Sequence, residues 1–442
     1  MVEANLKIIS ELKLVLEEVA NNNEVKSLFI NSETSFSRDR KLTIQKLVGI
    51  LINMPKRSLS IELEEFFDIF GDTNPATKGA FSLQRSKLLP EFFQVWNSWL
   101  VDSFYRHYGE KTKRWKGFRL LAVDGSTGNL VNKKDVIDFF GTWNNQHFNT
   151  PMARIMQIYD VLNDITIFSN LYPIKMGEKT IMNNRVDTLY SDSITLFDRG
   201  FPSYELMYLM IHSERPKHFV IRCKSDFNAE VKQFKKCRKK NKTIQLKATS
   251  IAIANLREKG FIITKQTEIK VRMVKIKLPS GETEILLTNL YNEQLYTIED
   301  LYYLYGMRWT IETSYGMQKN QQQIEQFSGH RVICIQQDFH ASVFVANLQS
   351  LINKQCENYL QRTNLNRKYN YKINRNISWG ALKNNIIKLF FSNEPLEILL
   401  KLQGIFERYT EPIRPDRKYK RTTMVKFRRG KYRTLTNYKR AI

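Results

Sequence analysis

Four chemically strong side chains recur in the stretch YGMRWTIETSYGMQK at 305–319: Tyr305, Arg308, Glu312 and Lys319, at gaps of three, four and seven. A helix advances about 100° per residue, so relative to Tyr305 the other three fall at roughly −60°, −20° and −40°. One face would carry a phenol, a guanidinium, a carboxylate and an ammonium. Such groups hold phosphate, or simply pair with one another on a solvated helix. Two further acids close short apolar runs that read as buried strands, Asp124 in FRLLAVDGST and Asp198 in SITLFDRGF. An acid at a strand end is exposed while the sheet fixes its flanks. Together with Glu312, these carboxylates would bind two divalent cations about 3.5–4 Å apart, an arrangement suited to phosphodiester chemistry. An oxygen-only ligand set favours Mg²⁺ or Mn²⁺ over Zn²⁺.

The elements that must position these residues are legible in outline. Residues 1 to 110 repeat apolar positions at three and four, as in NLKIISELKLVLEEVANN, and predict helices. From 118 the pattern becomes α/β. ARIMQIYDVLNDITIFSNLYP holds two β-rich runs joined at Asn163-Asp164, and YELMYLMIHSE follows Asp198 as a helix. Between 223 and 296 the chain is β-rich again, with EIKVRMVKIKL and TEILLTNLY flanking a turn at Pro279-Ser280-Gly281. Thr297 with Asp300 resembles a capping box that starts the helix of the opening stretch, and Gly306 predicts a weakness between Leu304 and Met307.

Composition narrows the partners. Lys and Arg number 69 against 44 Asp and Glu, a net charge of +25, which points to a polyanion such as nucleic acid. The excess is concentrated at 232–247 and in the basic C-terminal segment 412–442, which has 12 Lys and Arg against one Asp. Both would grip DNA backbone with salt-sensitive affinity. No apolar run reaches spanning length and no signal-like block opens the chain, so no membrane is expected and the expected location is cytoplasmic. Cys223, Cys237, Cys334 and Cys356 lack CxxC spacing and read as reduced thiols; there is no phosphate-binding GxxxxGK loop.

The motifs D-G-S-T at 124–127, D-R-G-F at 198–201 and Y-x2-R-x3-E-x6-K at 305–319 resemble the DDE transposases of bacterial insertion sequences. More narrowly they are similar to the insertion-sequence-four family, known for its Y-R-E-K signature, including a Trp after the Arg (Trp309). The resemblance covers roughly 80 to 360. It implies a ribonuclease-H-like catalytic core at 111–222 and 297–360, interrupted by a β-rich insertion at 223–296. An N-terminal helical, DNA-binding domain at 1–110 and a helical, basic C-terminal region at 361–442 complete the division. The spacings, 74 residues from Asp124 to Asp198 and 114 from Asp198 to Glu312, leave room for such an insertion.

The resemblance further implies that Asp124, Asp198 and Glu312 are catalytic ligands of two Mg²⁺ or Mn²⁺ ions. Tyr305, Arg308, Trp309, Lys319 and Arg199 would contact DNA. The partners would be the element's terminal inverted repeats and target DNA, handled by a homodimer on the bacterial nucleoid. Family members that pass through a DNA hairpin hold a flipped base on an insertion aromatic. No Trp lies between Trp143 and Trp309, which leaves Tyr291 or Phe227 for that role. Other functions in view are a transposase-derived DNA-binding protein without catalysis, and a ribonuclease-H-like nuclease without strand transfer.

Overall fold

A computed structural model describes residues 1–53, 57–144, 149–278 and 281–414. Most of the basic segment 412–442 therefore lies outside the described residues. The chain forms two compact units. One comprises Thr112–Thr127 and Ala153–Gly316; the other comprises Met1–Lys111, Gly128–Met152 and the described residues from Met317 onward.

The second of these units is helical, as its apolar periodicity requires. Helices Val2–Asn21, Glu91–Tyr108 and Val332–Asn353 enclose its core. Trp96 is fully buried, stacked on Phe344 with ring centroids 4.0 Å apart, and its indole N–H donates to the Leu12 carbonyl at 3.1 Å. Arg85 is equally buried, and its charge is met by Asp338 at 2.8 Å with Gln337 accepting at 2.7 Å. Isolated buried charge is strongly unfavourable, so this pairing is what makes an interior arginine tolerable. Among the described residues no helix is long and apolar enough to cross a membrane.

The α/β unit is built on a mixed sheet. Its strands are β1 (Arg119–Asn129), β2 (Asn149–Asp160), β3 (Ile165–Pro173), β4 (Ser193–Phe197), β5 (His218–Cys223), β6 (Asn241–Lys247), β7 (Glu268–Lys277) and β8 (Thr283–Thr288). They lie in the order β3-β2-β1-β4-β5-β8-β7-β6. Strands β1, β4 and β5 are parallel, while β2–β3 and β5–β8–β7–β6 are antiparallel. The parallel strands are buried on both faces, which explains the unbroken runs Leu120–Val123 and Ile194–Phe197. The β-rich stretch after β5 thus extends this sheet beyond β5. It also contains helices Ala229–Lys236 and Ser250–Glu258, where alternation in the sequence suggested mainly strand.

Local signals are realised closely. At the β2–β3 turn Asp164 takes φ 57°, and the Asp160 carboxylate accepts the N–H groups of Leu162 and Asn163 at 3.1 Å. Beside the β7–β8 turn Gly281 has φ 85°, a conformation that favours glycine, although Pro279 and Ser280 lie outside the described residues. Thr297 and Asp300 form a reciprocal capping box. It starts helix Ile298–Met307; helix Trp309–Asn320 follows. The discontinuity falls at Arg308 rather than between Leu304 and Met307, and Gly306 stays helical. Arg308 keeps helical angles (φ −54°, ψ −35°), with three-residue hydrogen bonds to Tyr305 O and from Ile311 N, so the turn tightens without reversing.

Phe197 ends β4 fully buried, with its ring 5.5 Å from that of Phe201. Phe197→Ala is expected to lower unfolding free energy by about 3–5 kcal/mol, measured by urea denaturation. A loss below about 1 kcal/mol would show that the end of β4 beneath Asp198 is loosely packed.

Candidate metal and phosphate site

The parallel register of β1 and β4 pairs Val123 with Phe197. Asp124 and Asp198 are the next residue in each strand direction. They therefore occupy neighbouring positions on adjacent strands, spaced by about 4.8 Å. Asp198 follows the last residue of β4, whereas β1 runs on past Asp124 to Asn129 instead of ending there as the sequence suggested. Glu312 is brought to them by the helix pair that starts at Ile298, and Arg308 is the connecting element. Its guanidinium donates to Glu312 Oε1 at 2.8 Å and lies 3.9 Å from Asp124 Oδ2. One turn earlier, the Tyr305 hydroxyl donates to Asp198 Oδ1 at 3.2 Å. Three acids from three elements thus converge on two side chains of one helical turn.

Charge balance is tight. Arg308 is only 2% exposed, and its Nε has no hydrogen-bond partner among the described residues. Burial opposes its charge, but Tyr305, Glu312 and Asp198 outweigh that and raise its pKa above the ordinary value. Asp124 moves the other way. Burial first, with Glu312 and Glu178 adding repulsion, raises its carboxyl to about 6, although Arg308 and the Gly125 N–H oppose this. Burial also pushes the Tyr305 phenol up to about 12, so it is a hydrogen-bond donor at neutral pH.

Several supporting residues gave no sequence signal. Glu178 is held by Arg154 at 2.5 Å, and a Cβ on Gly125 would approach its carboxyl carbon to 2.3 Å. With glycine at 125 a fourth carboxylate lies against the backbone beside Asp124. Arg222, at the end of β5, stands 3.9 Å from Asp198 and pairs with Glu284. Tyr315 is buried, and its hydroxyl donates to the Asp124 carbonyl at 2.9 Å. Its position one turn after Glu312 was the one available hint; Glu178 and Arg222 sit in unremarkable sequence.

The remaining candidates are dispersed. Trp309 is 50% exposed, with the Arg308 guanidinium 5.0 Å from its ring centroid. Arg199 is exposed beside Asp198 in the chain. Lys319 lies in the last turn of helix Trp309–Asn320, in the residues assigned to the other compact unit. The Tyr291 hydroxyl donates to the Lys270 carbonyl at 2.6 Å, and Phe227 packs on the apolar core.

The donor chemistry suits a hard divalent cation, since every acid here offers carboxylate oxygen. Among the described residues, however, no three Asp, Glu, His or Cys side chains are grouped closely enough to share an ion. The Arg308 guanidinium instead pairs with Glu312 at 2.8 Å and stands 3.9 Å from Asp124.

Comparison with known proteins defines the class. Residues 94–348, more than half of the chain, match the transposase DDE domain family, and the chain belongs to that family. It is 23% identical over 110 residues to "Putative transposase InsZ" of Escherichia coli (strain K12); the match covers 24% of this chain and 37% of that protein, well under two thirds of its length. Among solved structures, a piggyBac transposase synaptic complex with hairpin DNA aligns over 90% of this chain and 81% of its own, at 11% identity and a TM-score of 0.42. A likeness at that score carries no weight for fold or function.

The raised Asp124 pKa fixes a pH dependence. Its folded value of about 6 lies above the ordinary 3.8, so ionisation costs stability. That cost is absent below the ordinary value, grows between the two, and is full above the folded one. In metal-free buffer Asp124→Asn is therefore expected to raise Tm at pH 8 and to change it little at pH 3.5. Equal shifts at both pH values, read by differential scanning fluorimetry, would contradict this charge balance.

Proposed function

We propose that this protein is a DNA transposase of the insertion-sequence-four type, cleaving the ends of its element and joining them to target DNA. One observation carries the reading within the family: Arg308 reaches Asp124 and Glu312 while Tyr305 reaches Asp198. The strand order β3-β2-β1-β4-β5, an antiparallel hairpin beside three parallel strands, supports a ribonuclease-H-like core. The strands β6–β8 correspond to the proposed insertion, and the N-terminal helices are the proposed recognition elements for terminal repeats.

In this reading Asp124, Asp198 and Glu312 hold two Mg²⁺ or Mn²⁺ ions. When bound, these cations would supply electrostatic stabilisation of the phosphodiester oxygens and lower the pKa of an attacking water or hydroxyl. The chain's own residues bind and orient the DNA. Arg308 offers a planar fork to a phosphate, Tyr305 a neutral hydroxyl, and Lys319 a point charge further along the helix. Exposed Trp309 would present a face for a terminal base to stack on, and exposed Arg199 would contact the backbone. The basic segment 232–247 adds affinity that is independent of sequence.

Hydrolysis at the element's end leaves a 3′-OH, which then attacks a second phosphodiester. No covalent protein–DNA intermediate is required, so no side-chain nucleophile is assigned. Joining two ends calls for a homodimer acting on nucleoid DNA.

The test uses DNA fragments carrying the sequences that flank this reading frame. With Mg²⁺, the protein is expected to nick them at fixed positions and to yield strand-transfer products, and both activities are expected to fall at least about 10³-fold in Asp124→Ala, Asp198→Ala and Glu312→Ala. Binding without nicking would favour a non-catalytic DNA-binding protein. Nicking without joined product would favour a nuclease.

A further inference from the structure

The position of Arg308 is more than that of a phosphate ligand awaiting DNA. It is almost fully buried, hydrogen-bonded to Glu312 at 2.8 Å, 3.9 Å from Asp124, and within electrostatic reach of Asp198. It is also the residue at which the two helices of the Y-R-E-K segment join. Asp124 and Glu312 would repel each other across a partly dry site if nothing stood between them, and a cation in that position removes the repulsion. The side chain thus supplies to these carboxylates the positive charge that a divalent ion would supply when bound.

We propose that Arg308 is a built-in competitor for the metal, a resident cation that must leave Asp124 and Glu312 before those carboxylates can close on a divalent ion. The inference rests on the reading of Asp124, Asp198 and Glu312 as the cation ligands. A guanidinium and a divalent cation cannot occupy the same space between the same oxygens, so each weakens the other. The released guanidinium is then free for a phosphate. By linkage, whatever draws Arg308 towards phosphate also strengthens metal binding, and the reverse holds equally. Metal loading would be favoured when DNA is in place.

The consequence is measurable without DNA and without activity. Mn²⁺ binding to the full chain is followed by electron paramagnetic resonance, and Tm is measured in EDTA and in Mn²⁺. Arg308→Met retains length and helix propensity while removing the charge. It is expected to bind Mn²⁺ at least about fivefold more tightly than the unsubstituted chain, within the usual range of such couplings. Its Tm is expected to fall in EDTA and to recover with Mn²⁺. A merely structural arginine would lower Tm equally in both and leave Mn²⁺ affinity unchanged, which overturns the proposal. Arg308→Lys, should the Met variant fail to fold, is expected to give an intermediate affinity, and an affinity equal to the parent's would count against the proposal. Asp124→Asn separates the two levels of the argument. Loss of Mn²⁺ binding in that variant with no gain in Arg308→Met overturns only the competition; undiminished binding in Asp124→Asn overturns the ligand assignment beneath it.

Discussion

Everything in the α/β unit depends on one backbone constraint, the parallel pairing of β1 with β4. Because Val123 is registered against Phe197, the two aspartates that come next are neighbours although 74 residues separate them in the chain. The apolar residues before them are buried on both faces of the sheet, so neither strand can slip without moving its whole side-chain set. Hydrophobic burial thereby fixes the position of both acids, and in one of them it disfavours the charge. That conflict is visible in Asp124, whose carboxyl is held at about 6 chiefly by desolvation.

The third acid is positioned differently. Glu312 is 40% exposed and comes from a helix rather than the sheet, so its place is set by what it touches. Arg308 provides that contact from one turn away, while Tyr305 ties the preceding turn to Asp198. The tightened turn at Arg308 aims the guanidinium at acids on both sides. A site of this kind departs from local regularity where function resides, a pattern common in folded proteins.

Much of this is legible in the sequence, for physical reasons that differ by residue. Asp124 and Asp198 stand out because a short apolar run that stops at an acid is the pattern of a strand leaving the core; β4 does end before Asp198, but β1 continues past Asp124 to Asn129. Thr297 with Asp300 stands out because a capping box is a local reciprocal pair. The hairpin at Asp164 follows from turn chemistry. Glu178, Arg154 and Arg222 are not legible, because their roles arise from tertiary proximity alone. Gly125 stands within a recognised motif, yet its reason, room for the Glu178 carboxylate, emerges only in three dimensions. The helical face drawn from Tyr305 to Lys319 assumes one uninterrupted helix; the irregularity at Arg308 has no sequence marker beyond a glycine two residues earlier. Helices Ala229–Lys236 and Ser250–Glu258 escape notice because short amphipathic segments between strands share their neighbours' composition.

The central claim is that Asp124, Asp198 and Glu312 together form one cation-binding pocket. Anomalous diffraction from crystals of the full chain equilibrated with Mn²⁺ addresses it most directly. The account predicts an anomalous peak within about 2.5 Å of carboxylate oxygens of Asp124 and Asp198, a distance expected for Mn²⁺–oxygen bonds, with Arg308 turned away and Glu312 drawn in. Mn²⁺ bound elsewhere, with these three carboxylates unmoved at saturating metal, would contradict it.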